Sequence, residues 1–154
     1  MENDRRSEDE IRSERGERQE DDILCEAIPG GILLTGNAGG GKLFMRAEET
    51  GRDWTVIVTG GAAPHIGCAV LAVPRESLRG DGKRSSTTSV LNVTGHKDEE
   101  ICRYAAERLA AATGRIVVCT GGVHIEGITK DQIDGIRDMA AEMTERLVRA
   151  AVMK

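Results

Sequence analysis

All three histidines of this 154-residue chain stand beside glycine at the ends of apolar runs: His65 in "TGGAAPHIG", His96 in "VTGHKDEE" and His124 in "CTGGVHIEG". If the fold gathers them, two chemistries suit the set. Three neutral imidazoles on separate loops can bind a divalent transition metal, with Asp98 and Glu126 at hand as acidic neighbours, although no i, i+4 histidine pair is present. The other chemistry is anion binding. Backbone N–H groups in glycine-rich turns form concave anion sites, and "TGG" occurs twice, so Gly60, Gly61, Gly121 and Gly122 would offer donors to a phosphate. The hydroxyls of Ser86, Thr87, Thr88 and Thr120 could add to them, and Lys97 could add charge. Asp98, Glu99 and Glu100 beside Lys97 oppose an anion and complement a helix dipole, which makes that helix start a poorer phosphate site than the two "TGG" segments.

Each of these features also has an ordinary explanation. Glycine at a strand end makes a turn, a histidine beside it caps or faces water, and serine or threonine on an edge strand needs no function. The choice depends on the elements that position the residues. Strands are expected around 23–35 and 42–48, joined by "GNAGGG", at 53–59, and at 66–73 where Pro74 ends the run. "GGAAPH" between the last two reads as an elaborated hairpin loop, and "SSTTSVLNVTG" carries a fifth strand.

The period then changes. Ile101, Tyr104, Ala105 and Leu109 recur at helical spacing with Gly114 as C-cap, which predicts a helix over 97–113. "RIVVCTGG" is a sixth strand, continuously apolar and so central. A closing helix follows, with Thr129 and Gln132 as a capping box and Ile133, Ile136, Ala140, Met143 and Leu147 as its stripe. The pattern is α+β: one sandwich domain, a mostly antiparallel sheet of about six strands with two helices on one face. Turns at strand ends gather along a rim in such folds, so the three histidines could share a site.

Composition excludes several classes. Residues 1–22 hold 10 of the 26 acidic side chains and 5 of the 21 basic ones, so the remainder is formally neutral and the net charge of -5 belongs to the N-terminal segment, read as a disordered charged tail ahead of a domain over 23–154. A neutral body with one Trp, one Tyr and one Phe offers neither a basic stripe nor a stacking surface for nucleic acid. No apolar run is long enough to span a bilayer and the N-terminus lacks a signal-peptide pattern, so no membrane role and a cytoplasmic location are expected. Cys25, Cys68, Cys102 and Cys119 show no CxxC pairing and are expected to be buried apolar residues. There is no nucleophile elbow, no dinucleotide fingerprint and no P-loop; "GNAGGGK" lacks the GK[ST] ending and the following helix.

"GGAAPHIGCAVLAVPR", then "SSTTSVLNVTGHKDEEICRYAAERLAAATGRIVVCTGGVHIEGITKDQIDGI", resembles the LpdD-like prenylated-flavin chaperone family, accessory proteins of UbiD-type hydroxyarylic acid decarboxylases. The resemblance covers roughly residues 27–150, and its most specific parts, "PHIG", "TGHKDEE" and "GGVHIEGIT", contain all three histidines. It implies a proteasome-assembly-chaperone-like fold, a homodimer, and a non-catalytic carrier that binds prenylated FMN (or FMN), shelters it and delivers it to a UbiD-type decarboxylase subunit. His65, His96 and His124 would then contact the ligand or a divalent metal. Two other readings stay open: a small metal-dependent subunit or enzyme using the three histidines, and an assembly chaperone that binds no ligand.

Overall fold

The computed structural model describes residues 22–153. The charged tail expected over residues 1–22 therefore lies outside the described residues, apart from Asp22. Seven strands form one sheet: β1 Ile23–Ile28, β2 Gly31–Ala38, β3 Gly41–Thr50, β4 Asp53–Gly61, β5 Cys68–Glu76, β6 Arg84–Asn92 and β7 Val117–His124. Helices α1, Glu99–Thr113, and α2, Lys130–Val152, complete the fold. The sheet order is β1-β2-β3-β4-β7-β5-β6, antiparallel throughout except for the parallel pair β4–β7.

The apolar pattern explains the layering. Alternate strand residues, among them Leu34, Leu43, Met45, Val56, Val58, Val70 and Val117, are buried against Leu109, Met139, Met143 and Leu147 of the two helices. α1 covers β5, β6 and β7, α2 covers β2 and β3, and the helices also pack on each other. Both lie on one face, as the sequence pattern implies. Strand residues of the opposite parity point away from the helices. Leu24, Phe44, Ile57, Leu71, Val73, Leu91 and Val118 are consequently exposed on an uncovered sheet face.

Five sequence expectations are corrected. The apolar stretch 23–35 is two strands, because Pro29 and Gly30 fold it back so that Ile28 pairs with Gly31; this raises the count from about six to seven. β2 and β3 close on the two-residue turn Gly39–Gly40, where φ is 63° and 84°, values that glycine adopts without penalty. β5 runs through Pro74, since its ladder to β7 ends at Ala72 and proline beyond it interrupts no central pairing. Cys25 is exposed on the edge strand β1, whereas Cys68, Cys102 and Cys119 are buried as expected.

The largest correction concerns β4 and β5. They are not a hairpin: β7 lies between them and pairs with both. The chain leaving β4 must therefore cross the C-terminal end of β7 before it enters β5. Residues 62–67, with His65, make that crossing.

Candidate functional site

One rim of the sheet collects the ends of β4, β6 and β7, the start of β5, the Gly39–Gly40 turn and the starts of both helices. The loop 62–67 brings His65 to this rim, the β6–α1 connection brings His96 and Asp98, and the end of β7 brings His124. His65 and His96 have ring centroids 4.4 Å apart, and His124 stands 6.3 Å from His65, edge-on. The histidines do converge, but they are not equivalent. His124 turns its Nε2 toward Glu126, at 3.4 Å, with half of its side chain exposed.

Asp98 is the centre of the group. Its Oδ2 lies 3.2 Å from His65 Nε2 and 3.6 Å from His96 Nδ1, and its Oδ1 accepts the backbone N–H of Val123 at 2.9 Å. That N–H is available because the ladder between β5 and β7 stops at Cys68 and Gly121, where the crossing loop diverges. An aspartate before a helix ordinarily spends its carboxylate on the first-turn amides. Asp98 is the N-cap residue of α1 yet makes no side-chain cap bond, its carboxylate being directed at β7 and the histidines. Read from the sequence, Asp98 is an acidic neighbour of the histidines that also complements the helix dipole; in the structure its carboxylate faces the histidines.

Two glycines permit this approach. A Cβ on Gly67 would overlap the Asp98 carboxylate, and one on Gly122 would overlap His65 Nε2 and press on Asp98 Oδ2. Gly67 was not singled out from the sequence, although its place in "PHIG" is a signal in hindsight. Gly60, Gly61, Gly121 and Gly122 are not turn residues: they pair across the parallel ladder, Gly60 with Val123, Gly61 with His124, and Gly121 and Gly122 with Val58 and Thr59. Their small size serves the close approach of neighbouring backbone, since a Cβ on Gly121 would overlap the Val58 carbonyl.

The hydroxyls lie elsewhere. Ser86 and Thr88 donate to the carbonyl and carboxylate of Glu107, which is nine residues from Asp98 and so about 14 Å along the helix. Thr87 accepts from Arg75 on the opposite face, and Thr120 donates to the Cys68 carbonyl. Lys97 is exposed between His96 and Asp98. Another cation, Lys42, follows the Gly39–Gly40 turn, and its carbonyl lies against Gly60.

Beneath the rim, Cys68, Cys102 and Cys119 form a buried group. Burial, with Cys102 beside it, pushes the Cys68 thiol up to about 12, and contact with Cys119 together with burial raises Cys102 further. Both are thiols rather than thiolates at neutral pH and act as small apolar residues, not nucleophiles.

Residues 37–151, which include the rim and both helices, match the model of the prenylated flavin chaperone LpdD-like domain. The chain belongs to the LpdD-like prenylated-flavin chaperone family. Protein LpdD of Lactiplantibacillus plantarum is 29% identical over 115 residues, covering 75% of this chain and 81% of that protein. A solved chaperone complex for yeast 20S proteasome assembly aligns over 84% of this chain and 96% of its own with 10% identity and a TM-score of 0.41, too distant a likeness to carry weight. The LpdD-like match spans the loops bearing His65, His96, Asp98 and His124, so the rim is part of the family domain. No helix among the described residues is long and apolar enough to cross a membrane.

Proposed function

We propose that this LpdD-like chain is a cytoplasmic, non-catalytic carrier that binds prenylated FMN at the histidine rim and delivers it to a UbiD-type decarboxylase. The observation that carries the reading is the convergence of His65, His96 and Asp98 at a rim walled by Gly67 and Gly122, in a domain of the prenylated-flavin chaperone family. The donor set suits the cofactor. His96 and His124, about a third and a half exposed, can donate to flavin carbonyls or phosphate oxygens, and Lys42 can neutralise phosphate charge. Phe44, paired with Thr59, which in turn pairs with Gly122, offers an apolar surface for the ring on the uncovered sheet face. When bound, prenylated FMN supplies the chemistry of the decarboxylase; the residues here would hold it and limit its exposure to water and oxygen.

The uncovered apolar face supports a homodimer. A sheet that is apolar on both faces needs a second layer on each, and a second copy of the same face supplies one with two-fold symmetry. Anaerobic titration of the protein with FMN and with prenylated FMN, followed by the flavin absorption spectrum, tests the carrier reading. Saturable binding of prenylated FMN that weakens at least tenfold in His96→Ala, and activation of a decarboxylase apoenzyme by the loaded protein, are expected. The absence of any spectral change at micromolar protein overturns it.

A further inference from the structure

His65 presents an unusual electrostatic arrangement. Its Nδ1 lies 3.1 Å from the carbonyl oxygen of Ala63, which can only accept, so Nδ1 carries the hydrogen. In the neutral ring Nε2 then bears a lone pair, and that lone pair faces Asp98 Oδ2, another acceptor, at 3.2 Å. In that tautomer Nε2 is free as a ligand atom, and a cation shared with Asp98 Oδ2 would relieve the contact of the two acceptors. His96 Nδ1 points at the same oxygen from 3.6 Å, and the three donor atoms all lie within 4.8 Å of one another.

We infer that His65 Nε2, His96 Nδ1 and Asp98 Oδ2 form a three-point site for one divalent first-row transition metal. Donors held about 2.1 Å from a shared ion stand roughly 3.0–3.4 Å apart at right-angle or tetrahedral positions, close to the two shorter separations seen here. The supporting contacts are those a metal site uses: the far ring nitrogen of His65 donates to a backbone carbonyl, and the second carboxylate oxygen of Asp98 accepts the Val123 N–H. The His65 and Asp98 side chains are 22% and 12% exposed and that of His96 is 36% exposed, so the group is partly shielded and still reachable from water. Gly67 and Gly122 keep the donors pressed against the backbone. Two imidazoles with one carboxylate select zinc, cobalt, iron or nickel over calcium and magnesium and leave coordination positions open for an oxygen ligand. His124, turned to Glu126, is outside the set.

The test uses metal alone, so it is independent of flavin binding. Protein freed of metal with a chelator is titrated with Co2+, following the visible d–d bands, and with Zn2+ by calorimetry. One equivalent per chain is expected, with affinity at least tenfold lower in His96→Ala and Asp98→Asn and unchanged in His124→Ala. His96 is at the protein surface, and the side-chain amide introduced by Asp98→Asn retains an oxygen for the Val123 N–H, so both variants should fold, as circular dichroism would verify. Absence of stoichiometric binding, or binding indifferent to His96→Ala and Asp98→Asn, overturns the site. Loss of binding in His124→Ala as large as in His96→Ala overturns the ligand set. Flavin titration of the metal-free protein reports on the carrier reading separately.

Discussion

Replacing Gly67 by alanine tests whether the site geometry rests on a glycine that only close packing requires. The added Cβ would overlap the carboxylate of Asp98, with the aspartate Cβ also 3.1 Å away, so the short side chain has no distal end that can swing clear. Asp98 must withdraw, breaking its 2.9 Å bond to the Val123 N–H and its contact with His65. A hydrogen bond to a charged acceptor contributes about 1.5–3 kcal/mol, and partial access of water to the site places the cost near the lower half of that range, about 2 kcal/mol. For a folded body of this size that corresponds to a fall in Tm of roughly 5–10 °C. The assay is thermal and urea unfolding of Gly67→Ala, Asp98→Ala and the double variant. If the alanine acts through Asp98, it costs less than about 0.5 kcal/mol once Asp98 is already alanine, and the cycle returns a coupling of at least about 1 kcal/mol. Equal losses in both backgrounds would refute the reasoning and assign Gly67 a purely local backbone role.

Three further outcomes are expected. The Arg108 guanidinium pairs with Glu145 through two bonds of 2.7 Å while Tyr104 donates to the same carboxylate, which holds the Glu145 carboxyl below its ordinary value. That contribution is present above the unfolded carboxylate pKa of about 4.3 and is lost as pH falls through the lower folded value. Glu145→Gln should accordingly cost about 0.5–1 kcal/mol at pH 7 in urea unfolding, reduced from a buried pair's worth by partial exposure, and nothing at pH 2. Iodoacetamide at pH 8 should alkylate Cys25 in the folded protein and leave Cys68, Cys102 and Cys119 unmodified until denaturant is added, read by mass spectrometry; rapid labelling of Cys68 would contradict its burial. Ile57→Lys and Leu71→Glu, on the uncovered face, should convert a dimer to a monomer in light scattering with little loss of helix content, and a wild-type monomer at micromolar concentration would remove the homodimer.

The resemblance carried by "PHIG", "TGHKDEE" and "GGVHIEGIT" was legible in the sequence, and the match over 37–151 establishes the family. So were the helices, because their signals are local. α1 is read from its apolar spacing and Gly114, which closes it in the left-handed conformation, and α2 from the Thr129–Gln132 capping box, both halves of which form. The central place of β7 follows from its unbroken apolar run, and the three histidines could be placed at strand ends because glycine and proline mark those ends.

Tertiary structure decided which strands are neighbours. Nothing local to "GGAAPH" distinguishes a hairpin loop from a crossing over a third strand; the parallel pairing of β4 with a strand some sixty residues later makes that choice, and it alone carries His65 over β7. The role of Asp98 was only partly legible for the same reason. An acidic residue before a helix is explained by the helix dipole until the fold supplies a free β7 amide and two imidazoles as nearer partners. Residue type and local period therefore determined the elements and the inventory of candidate residues, whereas the meeting of His65, His96 and Asp98 depends on long-range pairing, whose energy lies in contacts between segments that no short window contains.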